Sequence, residues 1–306
     1  MSWLLFAQIV VLFLMMGMGV IIVKTGLLKA SDSRILSTVC LYLVVPCMQI
    51  QAFQVTYSET VRAGFMLALL AAVIINAIQF SFVYLLQRPL GFTDEERDSL
   101  LYSNAGNFIV PLVAAVLGED HVIYASAFIL IQGMLLWSHG RATLERSGRI
   151  DFKKILLDVN ILSIFIGAIL FFAKITLDGV VADTIHGVAR MIGPISMFSI
   201  GMVLAGVHWR EVFANKRIYL IVLLKMVVMP GIILLVLKFS ALKTLIPGGE
   251  SLLLISLLAV LAPSGSSIPQ MALIYHRDAD YASAINALTT VVCVATMPLM
   301  AWLYQI

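Results

Sequence analysis

The feature that most constrains this chain is an interruption that occurs twice, in apolar segments about half a chain apart. Residues 103–111 read SNAGNFIVP and residues 262–269 read APSGSSIP, and each run is followed by the tetrapeptide YASA, at residues 124–127 and 281–284. Glycine and proline break helices, and backbone groups freed inside a membrane must bond to protein or to a water-lined cavity. Paired breaks in corresponding halves of a membrane chain therefore indicate a transporter binding site.

The composition is that of an integral membrane protein. Apolar residues make up 61% of the chain and charged residues 12%, about half the charged fraction of a soluble domain. Stretches of about 20 apolar residues predict ten transmembrane helices, here called spans. The spans cover residues 3–23, 34–54, 62–86, 99–117, 120–138, 155–173, 183–207, 217–239, 251–275 and 280–304.

The basic residues between the spans predict the orientation. Lys and Arg are concentrated after odd-numbered spans, above all in residues 139–154. Short cytoplasmic loops carry the positive excess, so both termini are expected on the non-cytoplasmic side. With five spans in each half, the second half enters the membrane inverted. The predicted fold is all-α, with inverted five-helix repeats at residues 1–138 and 155–306 and a cytoplasmic linker at residues 139–154.

Composition and motifs argue against several other classes of protein. The net charge of +3 is explained by the loop asymmetry, so we expect no nucleic-acid partner. Cys40, Cys47 and Cys293 lie inside predicted spans without metal-type spacing, so we expect neither a metal site nor a disulfide. The first apolar run lacks the basic start and the cleavage site of a signal peptide, and it is long enough to span the membrane.

An intramembrane enzyme is the least favoured alternative. The run Gly265-Ser266-Ser267 resembles a serine nucleophile motif, but a serine needs a base within hydrogen-bond reach. The one histidine that follows it, His276, falls at the predicted membrane edge, and the chain has no His-Glu-x-x-His zinc motif. We therefore predict no catalytic residues.

The two breaks predict an anion site. If the breaks at Pro111 and Pro269 lie near the midplane, a second half-helix begins at each, with proline in the first turn, where its missing N–H costs little. Spans four and nine run in opposite directions, so the two helix starts face each other. Each start presents free N–H groups and about half a positive charge, which stabilises an anion without a basic side chain.

The residues predicted to bind substrate are Asn104, Gly106, Asn107, Pro111, Pro263, Ser264, Gly265, Ser266, Ser267 and Pro269. The alternative is that the polar groups of the breaks bond only to one another and to the frayed backbone.

Polar residues in other spans are candidates for a supporting or coupling site. Lys225 either compensates a helix C-terminal end at the crossing, or pairs with Asp158, or extends its stem to the surface. Arg190 is interpreted as a residue that reaches the membrane surface. No acidic residue lies at the centre of a span, so coupling would use neutral oxygen ligands or the proton of the substrate. Further polar residues, which either line the pocket or bond between helices, are Gln79, Gln132, Asn286, Thr289 and Thr290.

The order of several short motifs along nearly the whole chain resembles the auxin efflux carrier family, which includes plant PIN-type carriers and bacterial permeases for malate or malonate. The motifs are Asn104-x-Gly106 with Pro111-Leu112, Pro263-x-Gly265 to Pro269, Lys24-x-Gly26-Leu27-Leu28 with Pro46, Asn160, and Pro194 followed by Gly201-Met202-x-Leu204-Ala205-Gly206.

The resemblance implies a scaffold and a transport bundle in which broken helices four and nine cross, elevator-type alternating access and a homodimer. It assigns crossover roles to Asn104 and Pro111 and adds Asn160 to the supporting residues. The chain departs from the family pattern at Ser266 and Ser267, by an added residue between the prolines of span nine, and at Ile161, where many relatives have proline. These departures bear on the substrate more than on the fold.

The leading hypothesis is a secondary transporter of a small organic anion, a carboxylate or an auxin-like weak acid, in the inner cell membrane. It needs no cofactor, and H+ or Na+ is the coupling ion to test. One alternative is a sodium-coupled symporter of the bile-acid type, whose architecture is similar. Another is a membrane sensor that binds its ligand without moving it.

Overall fold

The computed structural model describes residues 2–146, 153 and 157–306, with side chains from Ala7 onward. Apart from one isolated β-bridge, every regular element in these residues is helical. Seven helical segments there are long and apolar enough to cross a membrane: Ala7–Lys24, Ala30–Ala52, Glu59–Leu90, Glu119–Glu145, Gly179–Ala205, Lys216–Phe239 and Ala279–Gln305. Three shorter apolar helices fall within predicted spans four, six and nine. The prediction of an all-α membrane protein is confirmed.

The first half of the chain contains the first broken segment. Its helices are α1 (Ser2–Lys24), α2 (Ser33–Val39), α3 (Val45–Ala52), α4 (Glu59–Leu90), α5 (Asp94–Leu101), α6 (Ala105–Leu117), α7 (Val122–Leu135) and α8 (Arg141–Glu145). A π-helical turn at Cys40–Val44 joins α2 to α3, and another at Leu136–Gly140 joins α7 to α8. The predicted linker at residues 139–154 thus begins as helix, and its residues 147–152 and 154 lie outside the described residues.

The second half contains the second broken segment. Its helices are α9 (Val159–Phe172), α10 (Gly179–Ala189), α11 (Ile192–Ala205), α12 (Trp209–Ala214), α13 (Lys216–Leu223), α14 (Met229–Phe239), α15 (Gly249–Leu261), α16 (Ser267–Ile274) and α17 (Ala279–Gln305). A third π-helical turn, Leu224–Val228, joins α13 to α14.

Local sequence signals place the start of the first broken segment. Helix α4 ends at Gly91, whose φ of 57° is left-handed and suits a residue without a side chain. Thr93 and Glu96 then form a capping box: the Glu96 N–H donates to Thr93 Oγ1 at 3.2 Å, and the Thr93 N–H donates to Glu96 Oε2 at 3.0 Å. This box begins α5 directly after the turn and so directs the chain back toward the centre of the bundle.

The helices pack in two groups. In the first packing group, α1 lies along α11, while α2 and α3 pack against α9, α10 and α11. In the second packing group, α4, α7 and α17 surround the broken segments α5–α6 and α15–α16, and α13 and α14 pack beside them. Between the groups, α6 packs against α1 and α11, whereas the main neighbours of α16 are α5, α8 and α17 of its own group.

Glycine allows α1 and α11 to approach closely. A methyl group added at Gly19 would overlap the backbone oxygen of Phe198, and one added at Gly201 would overlap the backbone oxygen of Met16. Small residues at a membrane helix interface let the two backbones gain van der Waals contact that larger side chains would prevent. The pair Gly19 and Gly201 therefore fixes the central contact of the first packing group.

Replacing Gly19 with alanine tests this contact. Gly19→Ala is expected to destabilise the protein by about 1–3 kcal/mol, because the obstructing atom belongs to backbone and cannot rotate away. Gly17→Ala is the matched control, since a methyl group at Gly17 meets nothing within 4 Å. The measurement is Tm in detergent, and equal Tm values for the two variants would contradict the close packing.

Candidate functional site

The two breaks meet at one point. Residues 102–104 separate α5 from α6, and residues 262–266 separate α15 from α16. Ser103 and Ser264 form an isolated antiparallel bridge. The Asn104 N–H donates to the Pro263 carbonyl at 2.7 Å, and the Gly265 N–H donates to the Tyr102 carbonyl at 2.9 Å. The structure thus brings the two breaks together as the sequence predicted, and each break satisfies backbone groups freed in the other. The point where residues 102–104 meet residues 262–266 is called the crossing.

The predicted position of the first break is wrong. Pro111 lies inside α6, which begins at Ala105 and runs through the proline. The chain leaves helical geometry where residues 102–104 find partners in the other break, whereas proline inside a membrane helix is tolerated as a kink. In the second break, Pro269 lies in the first turn of α16 as predicted.

A side chain from a neighbouring helix holds the backbone of each break. The Gln132 amide, oriented to satisfy both of its ends, donates to the Ser103 carbonyl at 3.0 Å and accepts from the Ser103 N–H at 3.3 Å. On the other side, the Ser264 N–H donates to Thr289 Oγ1 at 3.1 Å, and Asn286 donates to the Ser264 carbonyl. Interhelical bonding is therefore the role that the structure gives to Gln132, Asn286 and Thr289.

Gln132 and Thr289 occupy equivalent positions in the sequence. Each lies eight residues after the tyrosine of its tetrapeptide, Tyr124 or Tyr281. The repeated tetrapeptide therefore marks the register of two helices, α7 and α17, that each support one break.

An ordered chain of hydrogen bonds anchors the side chain of Tyr102. The Tyr102 hydroxyl donates to the Leu135 carbonyl at 3.1 Å and lies 2.8 Å from His139 Nδ1. The other ring nitrogen, His139 Nε2, lies 2.5 Å from the Tyr84 hydroxyl. These contacts hold Tyr102 in place while its carbonyl bonds to the other break.

Each π-helical turn in the described residues directs one side chain at the first broken segment. Cys40 Sγ lies 3.8 Å from Asn107 Oδ1, His139 contacts Tyr102, and Lys225 Nζ donates to the Leu100 carbonyl at 2.9 Å. A π turn adds a residue to the helix and so changes which side chains face inward. The three turns thereby surround the break with polar partners.

Lys225 compensates a helix C-terminal end at the crossing, as one of the three hypotheses predicted. It is 0% exposed, and Leu100 lies in the last turn of α5. The other two hypotheses for Lys225 are wrong. Its stem does not reach the surface, and Asp158 instead caps α9 by accepting from the N–H groups of Asn160 and Ile161 at 3.0 and 3.1 Å. Asp158 and Asn160 make no hydrogen bond to the crossing among the described residues.

The crossing keeps several polar groups without partners. The side chains of Asn104, Ser266 and Ser267 form no hydrogen bond with any residue that the structure describes, and Ser264 Oγ is buried without one. The backbone N–H groups of Ala105, Gly106 and Asn107 in α6 and of Ser267 in α16 also lack acceptors there, whereas the Ile268 N–H donates to the Gly265 carbonyl at 3.1 Å. A methyl group at Gly106 would meet nothing within 4 Å, so open space lies beside the first turn of α6. Donors that face open space are available to a ligand.

Asp98 is a buried charge that the sequence reasoning missed. It lies in α5 one turn before Tyr102, is 0% exposed, and neither carboxylate oxygen has a hydrogen-bond partner in the described part of the chain. The signal was present, because residues four apart share one face of a helix and Tyr102 begins the break. A buried carboxylate without donors needs a proton or a cation to offset the cost of its burial.

Glu96, near the start of α5, joins the first broken segment to two neighbouring helices. The loop charges predict that this end of the segment is cytoplasmic. Glu96 accepts from Arg217 Nε at 2.8 Å and from the Tyr281 hydroxyl at 2.7 Å, which joins α5 to α13 and α17. Burial alone would raise the pKa of Glu96, but the bonds from Arg217, Tyr281 and the Thr93 N–H outweigh it and hold this pKa below its usual value. Glu96 therefore stabilises the base of the crossing as a carboxylate.

Comparison with known proteins agrees with this geometry. A family model described as membrane transport protein matches residues 4–155 and residues 146–301. The chain belongs to this family, that of the auxin efflux carriers. A search of curated proteins found no match. The protein is thus a multi-pass membrane transporter of a family that the order of its sequence motifs predicted.

Two buried glutamines provide a test of the crossing. Gln132→Leu is expected to lower the free energy of unfolding by about 1–3 kcal/mol, because it leaves buried backbone groups of Ser103 without partners. Gln79→Leu should be neutral or stabilising, since the Gln79 amide is buried and neither of its polar atoms has a partner among the described residues. Thermal unfolding of both variants is the measurement, and equal loss of stability would refute the role of Gln132.

Proposed function

We propose that this protein is a secondary transporter that binds a small organic anion at the crossing of α5–α6 and α15–α16. The observation that carries the proposal is the division of polar groups at the crossing. One set ties the two breaks together. The other set has no partner among the described residues, and it includes the side chains of Asn104, Ser266 and Ser267 and the backbone N–H groups of Ala105, Gly106, Asn107 and Ser267. The second set consists of the donors that a carboxylate requires.

Electrostatics favours an anion over a cation at this point. The bridge is antiparallel, so α6 and α16 leave the crossing in opposite directions while both of their positive ends remain there. The negative C-terminal ends of α5 and α15 also converge on the crossing, but the ammonium of Lys225 lies against the Leu100 carbonyl. That contact offsets one of the negative ends and leaves the two positive ends dominant.

Transport requires the site to face each side of the membrane in turn. The division of helices into two packing groups supports an elevator motion, in which the second packing group carries the crossing past the first. The proposed fold has ten spans in two inverted five-helix repeats, each with one broken helix, and both termini lie outside the cytoplasm. We further propose that the protein is a homodimer in the inner membrane. These parts rest on the loop charges and on the family resemblance.

A buried carboxylate offers a coupling site. Asp98 lies one turn from the crossing, and its charge would oppose an anion bound there. A proton or Na+ bound at Asp98 would remove that repulsion, so cation and anion would bind together. Coupling through Asp98 would give symport of the anion with either cation.

Binding at the crossing is tested by filling the space beside Gly106. Gly106→Leu is expected to weaken carboxylate transport at least tenfold while leaving Tm unchanged, because the new side chain meets ligand space rather than protein. Gly231→Leu is the control, since a methyl group there also meets nothing within 4 Å. The measurement is uptake of a panel of radiolabelled mono- and dicarboxylates into proteoliposomes. Wild-type uptake by the Gly106 variant would overturn the site, and binding without uptake by the wild type would favour a sensor.

Coupling is tested by removing the charge of Asp98. Asp98→Asn is expected to keep exchange of carboxylate between the two sides but to lose accumulation driven by an ion gradient. Uptake driven separately by a pH gradient and by a Na+ gradient identifies the cation, and a Na+ requirement would favour the bile-acid type of symport. Asp94→Asn is the control, because Asp94 pairs with Arg97 at 2.8 Å. Accumulation that survives in the Asp98 variant would contradict this role.

A further inference from the structure

A cavity of about 240 Å³ opens beside α6 on the side toward which that helix runs from the crossing. The loop charges predict that this is the non-cytoplasmic side. Its walls include Gln51 of α3, Pro111 and Ala114 of α6, and His186 and Arg190 from α10 and its C-terminal end. The cavity thus lies between the two packing groups.

The cavity holds an unpaired positive charge. Arg190 forms no hydrogen bond or ion pair with any described residue, and the side chain of Gln51 likewise has no partner there. Glu119 and His186 also line the cavity, where His186 Nδ1 lies 3.7 Å from Glu119 Oε2. A guanidinium presents paired donors that match a carboxylate. Arg190 is exposed and lines the cavity, and the interpretation that it reaches the membrane surface stays a prediction.

The cavity and the crossing lie along one face of α6. Asn107 precedes Pro111 by four residues, so the two share that face and lie about one helical turn, roughly 5.4 Å, apart. A methyl group at Gly193 of α11 would lie 3.5 Å from Pro111 Cβ, which places α11 against α6 at this level. Pro111 and Gly193 both line the cavity, which thus lies about one turn along α6 from Asn107.

We propose that this cavity is a second anion site, in which Arg190 binds the carboxylate of a small organic acid on its way to or from the crossing. The ligand class follows from the walls. One guanidinium suits a single carboxylate, Gln51 can bond to a further polar group, and Ala114 contacts a short apolar body. A cavity of about 240 Å³ has room for a small organic acid.

The proposal rests on the proposed function for its guest, and its test does not require transport. A cysteine at Ala115, which is exposed and lines the cavity, can be labelled with anionic sulfonatoethyl or cationic trimethylammonioethyl methanethiosulfonate. With Arg190 present, the anionic reagent is expected to react faster relative to the cationic one, and malonate or benzoate should slow both reactions. In Ala115→Cys/Arg190→Gln, the rate ratio should fall at least fivefold and protection by either acid should be lost.

Two further variants separate charge from shape. Arg190→Lys should keep the rate ratio but weaken protection, because lysine retains the charge and lacks the paired donors. Arg210→Gln removes an exposed charge outside the cavity and should change neither quantity. The wild-type protein, with Cys40, Cys47 and Cys293, gives the background labelling.

The results of the labelling and uptake experiments distinguish failure of the cavity site from failure of the site at the crossing. A rate ratio and acid protection that survive Arg190→Gln would overturn the second site, whatever the transport assay shows. Loss of both quantities in that variant, together with wild-type uptake by Gly106→Leu, would support the cavity while removing the site proposed at the crossing.

Discussion

The structure depends on two backbone hydrogen bonds, from Asn104 to Pro263 and from Gly265 to Tyr102. A helix interrupted inside a bilayer exposes N–H and C=O groups that lipid cannot satisfy. Here each interruption supplies partners for the other, and Gln132 and Thr289 supply more from the neighbouring helices. The N–H groups of Ala105, Gly106 and Asn107 in α6 and of Ser267 in α16 keep no protein acceptor among the described residues. The contact between the breaks and the anion site proposed beside it therefore follow from one arrangement.

Three ionisable side chains lie in or near the broken segments. Lys225 lies against the end of α5, Asp98 lies buried one turn from Tyr102, and Arg190 lines the cavity on the far side of Pro111. Lys225 and Asp98 are buried, and a buried charge is costly within a membrane protein unless a partner or a ligand compensates it. Among the described residues, Lys225 has such a partner and Asp98 does not. Arg190 is exposed to the cavity that it lines.

The sequence was sufficient for the features that depend on composition. Apolar stretches predicted an all-α membrane protein, and the paired glycine, proline and polar clusters indicated the two segments that break. Hydropathy could not place the first break correctly, because proline is compatible with the interior of α6 and the true break depends on partners about 160 residues away in the chain. Gln132 and Thr289 were recognised only as polar residues in spans. Asp98 was overlooked since it lies outside the apolar run, although its face of α5 points inward.

The most direct test of the account is a structure of the protein with bound iodobenzoate, in which the anomalous signal of iodine locates the ligand. The account predicts a carboxylate within hydrogen-bond distance of the Gly106 N–H of α6 and the Ser267 N–H of α16, with the bridge between Ser103 and Ser264 intact. A carboxylate bound away from both helix starts, or breaks that do not touch, would contradict it.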